Sequence, residues 1–187
     1  MAMEQWLNTS DLIRTFEYAR VAGDTFPRIL FVCPRQSGKT TALFDTFLDT
    51  PDSIFMTTIG STLRELRIKA SRMNRRGDNL RPMYDVLTLS SGNSLRGRMR
   101  TFSTIFIDDV DRYMGDWEEF LSGAYPVMHR TDSVRRGIVA TMTPNGRRNA
   151  EFYDTYFNYI RRPLTGDNET RRSDFDRDHF NNEDFTI

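Results

Sequence analysis

The sequence has one cysteine, two histidines and no apolar run approaching the ~18 residues that span a bilayer. A lone cysteine excludes an internal disulfide and agrees with a reducing compartment. His129 and His179 lack companions for a metal site. The opening MAMEQWLNTSD has an early acid and no apolar core segment, so no secretory signal is read and the expected location is inside a cell. Internal repeats are absent. An excess of charge of one sign is absent too: 26 Lys and Arg balance 26 Asp and Glu. Asp174-x-Asp176-x-Asp178 begins like a calcium loop, but His179 replaces its glycine and Phe185 its closing glutamate, which excludes that site.

The balanced charges are unevenly placed. From Arg64 to Arg100 the cations, nearly all arginine, greatly outnumber the acids, and the stretch after Gly166 is acidic. A planar guanidinium fork suits phosphate oxygens, so the middle third could face a polyanion; a solvated helix face is the plainer alternative.

A chain of 187 residues suits one domain. Apolar spacing predicts helices over 4–22, 40–48, 63–73, 114 to Pro126 and 150–160, the last with an aromatic face. Short apolar runs predict buried strands at 28–33, 53–58, 84–89, 104–109 and 137–142. Strands alternating with helices imply an α/β fold with a mostly parallel central sheet flanked by helices. The expected division is one domain over 1–165 and a polar, mobile tail over 166–187.

CPRQSGKTT, Cys33 to Thr41, lies between a predicted strand and a predicted helix. Its SGKT end fits the phosphate loop G-x-x-x-x-G-K-[ST]: Gly38 allows close backbone approach, Lys39 brings a point charge to the β/γ oxygens, and the Thr40 hydroxyl can ligate Mg²⁺. The first glycine is missing. Cys33 stands in its place, and Pro34 biases Cys33 toward extended geometry, so the chain is expected to enter the loop without a glycine turn. Further on, TIFIDD ends a buried run in two acids. Asp108 is placed to serve the metal side and Asp109 to orient water, because a chain that bends at the strand end can turn both side chains to one site.

CPRQSGKTT, SLRG before IFIDD, and VATMTPNG before EFYD together resemble the ATPase region of the large terminase subunit of tailed bacteriophages, the motor that packages DNA. The resemblance spans roughly 28–160. It implies a P-loop NTPase of the ASCE type, ATP and Mg²⁺ as cofactors, and hydrolysis coupled to translocation of double-stranded DNA into a procapsid. Arg35, Gln36, Ser37, Gly38, Lys39, Thr40 and Thr41 would bind nucleotide, with Thr40 and Asp108 on the metal. Asp109 would act as catalytic base where the family usually has glutamate, and Arg35 would reach the γ-phosphate in cis. Thr141, Thr143, Pro144 and Asn145 match the motif that couples hydrolysis to movement. Arg96 matches an arginine offered to a neighbouring subunit's site, with Arg98 and Arg100 as rivals. Gln5 and Trp6 are weak candidates for adenine contact.

The implied partners are DNA held through its phosphates, the portal protein, the small terminase subunit, and copies of the chain itself in a ring that is a monomer when dilute. The implied setting is the cytoplasm of an infected bacterium, with no membrane partner. The nuclease domain usual in the family has no counterpart after Ile160. Two other functions fit the same motifs: a helicase-like or recombination ATPase, and an ATP-binding assembly factor that does not hydrolyse.

Overall fold

The computed structural model describes residues 9–73, 82–90, 95, 102–128, 136–143, 150–161 and 170–172. Helix α1 (Thr9–Val21) ends where expected: Gly23 adopts φ 82°, and the Asp24 N–H bonds back to the Ala19 carbonyl at 3.0 Å, a left-handed glycine closure. Then follow β1 (Arg28–Val32), α2 (Lys39–Asp49), β2 (Ser53–Thr57) and α3 (Gly60–Ser71). A 3-10 turn, Pro82–Asp85, leads into β3 (Val86–Thr88). After β4 (Thr104–Asp108) comes a second 3-10 turn, Val110–Arg112, then α4 (Trp117–Met128), β5 (Gly137–Met142), α5 (Ala150–Asp154), β6 (Tyr159–Arg161) and β7 (Thr170–Arg172).

The strands form one sheet in the order β3-β2-β4-β5-β1-β6-β7, parallel throughout except for the antiparallel β6–β7 edge pair. The central strands read as unbroken apolar runs because both faces are covered. Ile29 and Phe31 of β1 join Leu12 of α1 and Leu43, Phe44 and Phe47 of α2 on one face. Leu30 and Val32 point the other way, to Trp117 and Phe120 of α4 and Tyr153 of α5. The expected α/β architecture is therefore present. Among the described residues no helix is long and apolar enough to cross a membrane.

Four expectations need correction. The helix expected over 150–160 stops at Asp154: the Tyr156 and Phe157 N–H groups both bond to the Tyr153 carbonyl at 2.9 Å and close the turn. The Asn158 side chain then accepts a 2.8 Å bond from Arg28 Nε, and Tyr159 and Ile160 pair with Ile29 and Leu30. Aromatic spacing alone read helix through a segment that the free edge of β1 takes as strand. The strand expected over 84–89 is 3-10 until Asp85 and extended only from Val86. Helix α4 continues past Pro126 to Met128. Finally, Thr170–Arg172, inside the stretch expected to be a mobile tail, forms β7 on Tyr159–Arg161.

Candidate functional site

The carboxyl ends of β1, β4 and β5 lie side by side at one end of the sheet, the place where open parallel sheets bind ligands. β5 lies between the strand that leads into the GKT loop and the strand that ends in the two acids. The loop turns without a glycine at Cys33, which lies just past β1 and donates its N–H to the Met142 carbonyl at 3.0 Å. The turn comes instead at Gln36, in the left-handed region at φ 60°, and again at Gly38 at φ 79°. The loop's first bend is thus made by a glutamine held against its own preference.

Gly38 is the N-cap of α2, with no side-chain cap and no acid in the first turn. The leading N–H groups and the positive end of the helix dipole are therefore left for something anionic. The Ser37 hydroxyl beside them is buried and has no hydrogen-bond partner among the described residues.

Opposite the loop stand the acids. Thr40 Oγ1 donates to Asp108 Oδ2 at 2.8 Å, and Thr141 Oγ1 donates to Asp108 Oδ1 at 2.9 Å. Asp109 follows in the left-handed region at φ 50°, a conformation aspartate tolerates better than most residues, and this bend turns its carboxylate to the same side. Its Oδ1 lies 3.3 Å from Lys39 Nζ, with both side chains nearly buried. The approach is an ion pair without hydrogen-bond geometry, so that oxygen keeps unused acceptor capacity.

Burial pushes the Asp108 carboxyl up to about 6, and the charge of Asp109 adds to the rise; the hydroxyls of Thr40 and Thr141 and the Lys39 ammonium oppose it. Asp111 is also raised, by burial first and then by Asp109, against the hydrogen bond it accepts from the Thr143 N–H at 3.2 Å.

No protein-family model matches the chain, and no curated protein matches it.

Of the residues expected at the site, Lys39, Thr40, Asp108 and Asp109 are brought together. Ser37 and Gly38 lie in the loop directly before them, while Arg35, Gln36 and Thr41 are exposed on the loop and the first helical turn. Thr143 is half-buried, tied through its backbone to Asp111. Arg96, Arg98, Arg100, Pro144, Asn145, Gln5 and Trp6 lie outside the described residues.

Two participants were not read from the sequence. Asp111, beyond the acid pair, carries no role in the motifs, and Tyr153 is one member of the aromatic face expected over 150–160. The Tyr153 hydroxyl, fully buried, donates to the Val110 carbonyl at 2.9 Å and pins α5 to the acid turn. A third acid two residues past a strand-end pair was the available signal for Asp111. Among the described residues, no three His, Cys, Asp or Glu side chains converge as a metal cage. Magnesium does not need one, since it usually takes one or two carboxylates and completes its shell with phosphate oxygens and water.

Proposed function

We propose that the chain is a Mg²⁺-dependent ATPase of the P-loop class and, by its resemblance to terminase large subunits, a motor that moves double-stranded DNA. One observation carries the reading: the Thr40 hydroxyl of the GKT loop is within 2.8 Å of the Asp108 carboxylate, although the two are 68 residues apart in sequence. A hydroxyl and an acid brought together beneath an uncapped helix N-terminus are the donor set for a magnesium nucleotide. The buried Ser37 hydroxyl and Asp109 Oδ1, both without hydrogen-bond partners among the described residues, fit a site whose polar contacts are completed by a ligand.

In this reading Lys39 and the first N–H groups of α2 bind the phosphates. Thr40 and Asp108 hold the cation. When bound, Mg²⁺ neutralises developing charge on the phosphate oxygens. Asp109 accepts the proton of the attacking water. Its side chain is one methylene shorter than glutamate, and the left-handed bend offsets that by carrying the carboxylate into the site. Thr141 orients Asp108, and the Asp111–Thr143 bond ties the end of β5 to the acid turn. The exposed cations at the end of α3, Lys69 and the C-cap Arg72, offer DNA phosphates a sequence-independent surface.

Purified protein, Lys39→Ala and Asp109→Asn, assayed for Mg·ATP binding and for phosphate release with and without duplex DNA, test the proposal. Lys39→Ala should lose nucleotide binding. Asp109→Asn should bind and not turn over. Wild type that binds no nucleotide sinks the reading, and equal turnover by Asp109→Asn and wild type removes Asp109 as the base.

A second reading, an ATP-binding switch that does not hydrolyse, draws on the Lys39–Asp109 pair, because an acid engaged by the loop lysine is not poised over water. Binding without phosphate release, even at high concentration with DNA, decides for it.

A further inference from the structure

Helix α3 buries Leu66 and Ala70, half-buries Leu63 against the same core, and leaves Arg64, Arg67 and Ile68 exposed. Between α3 and the turn Pro82–Asp85 runs a groove of ≈440 Å³, with Leu63, Ile68 and Met83 among its walls and Arg64 and Arg67 along it. Arg67 is fixed there by a 2.9 Å bond from its Nε to the Val86 carbonyl. Of the six exposed large hydrophobic residues among those described, three (Ile68 at 46%, Met73 at 41% and Tyr84 at 64% exposure) lie on α3, just past its end, or on this turn. An apolar trough flanked by arginines suits a chain that carries both apolar side chains and acids. Duplex DNA, which needs only phosphate contacts, has no use for the trough.

The sequence contains such a segment outside the described residues. Residues 173–187 set Phe175, Phe180 and Phe185 at even spacing among Asp174, Asp176, Asp178, Glu183 and Asp184, against a single Arg177. The segment follows β7, and the groove sits beside β3, at the opposite edge of the seven-stranded sheet. Six strand spacings of ~4.8 Å separate those edges by about 29 Å through the interior. A fully extended chain of ~3.5 Å per residue starting at Arg172 carries Phe175 about 10 Å and Phe180 about 28 Å. Only Phe185 could arrive in the same molecule, and only by a route around the outside.

We propose that the groove between α3 and the Pro82–Asp85 turn receives segment 173–187 of a second copy of this chain. Phenylalanines occupy the apolar trough and the acids meet Arg64 and Arg67. The contact is heterologous, groove of one copy to tail of the next, so it propagates subunit by subunit instead of closing as a symmetric pair.

Two full-length variants test this. Ile68→Asp spoils the groove at an exposed position, and the triple change Phe175→Ala, Phe180→Ala, Phe185→Ala spoils the tail. Sedimentation velocity should show concentration-dependent self-association of wild type and at least a tenfold weaker association of each variant alone. The two variants mixed should form a 1:1 heterodimer that grows no further, since the tail variant contributes the one good groove and the groove variant the one good tail. A mixture that remains monomeric overturns the proposal, as does self-association that neither variant weakens. So does a wild type that is monomeric at every soluble concentration and excludes a labelled 173–187 peptide that the tail variant binds, which would place the segment in its own groove.

Discussion

The Thr141 hydroxyl donates to Asp108 Oδ1 at 2.9 Å, and through it the middle strand holds the acid that closes its neighbour. The same oxygen accepts the Asp109 N–H at 3.3 Å, so one hydroxyl fixes both members of the acid pair. Thr141→Val keeps the shape and removes the bridge. It leaves a buried N–H and a carboxylate oxygen short of a partner, a loss of about 1–3 kcal/mol. Urea unfolding should show that loss for Thr141→Val and little for Thr141→Ser. On the proposed function, Thr141→Val should also require more Mg²⁺ for half-maximal turnover. A valine variant as stable as wild type would mean the bridge is incidental.

Stability should rise as the isolated protein is acidified from pH 7 toward pH 4.5, and Asp108 should be the cause. Its carboxyl is held at about 6 in the folded chain against an ordinary 3.8, so the folded state binds that proton more tightly than the unfolded state does. The contribution is full below pH 3.8 and lost as pH rises through about 6, and it amounts to about 3 kcal/mol at most. Asp111, also raised, acts in the same direction. Asp108→Asn, neutral at every pH, should flatten the slope. Parallel slopes for wild type and variant would show that Asp108 is ionised throughout.

The reach of the sequence differed from element to element. The β1 run, the GKT helix start and the IFIDD strand were legible because a strand buried on both faces reads as a continuous apolar run, and a Gly-Lys-Thr after such a run has few other uses. That the two acids share one site was also legible, from the bend required where a strand ends. The means were not: nothing in DDV announces that Asp109 itself takes φ 50°, or that Gln36 and not a glycine makes the loop's first bend. These conformations are imposed by the surrounding contacts. Asp111 and the Tyr153 hydroxyl were hidden for a related reason, since their partners are backbone groups of remote segments. The break between α5 and β6 failed because Phe152, Tyr153, Tyr156 and Phe157 satisfy helical spacing, while the open edge of β1 was invisible to a local pattern.

Lys39 Nζ lies 3.3 Å from Asp109 Oδ1. On the proposed function, an incoming phosphate competes with Asp109 for this lysine, and nucleotide must displace the carboxylate and tolerate its charge nearby. Asp109→Asn removes both obstacles and, unlike most residues, asparagine accepts the left-handed backbone at this position. Its nucleotide Kd should fall several-fold while turnover drops by about 10²–10⁴, the range for loss of a general base. Asp109→Ala should add a loss of about 1 kcal/mol in stability from backbone strain. Calorimetric titration with Mg·ATP separates these effects, and weaker binding by Asp109→Asn would show that the Lys39–Asp109 pair does not oppose the ligand.

Asp111 holds the Thr143 N–H at 3.2 Å while the adjoining Val110 carbonyl takes the Tyr153 hydroxyl at 2.9 Å, so the short turn after the acid pair grips both the end of β5 and helix α5. The Asp111 carboxyl is raised by burial, and a neutral acceptor should therefore serve nearly as well as a charged one. Asp111→Asn, whose amide oxygen can accept the same N–H, should unfold within about 1 kcal/mol of wild type. Asp111→Val leaves the N–H without a partner and should cost about 1–3 kcal/mol. Tyr153→Phe, which deletes only the other grip, should cost about 1 kcal/mol. On the proposed function, the valine and phenylalanine variants should keep nucleotide affinity and lose stimulation of hydrolysis by DNA, because the nucleotide contacts sit on the loop and the acids while the grip joins them to α5. Unchanged DNA stimulation in both, with stability reduced as expected, would confine Asp111 and Tyr153 to holding the fold.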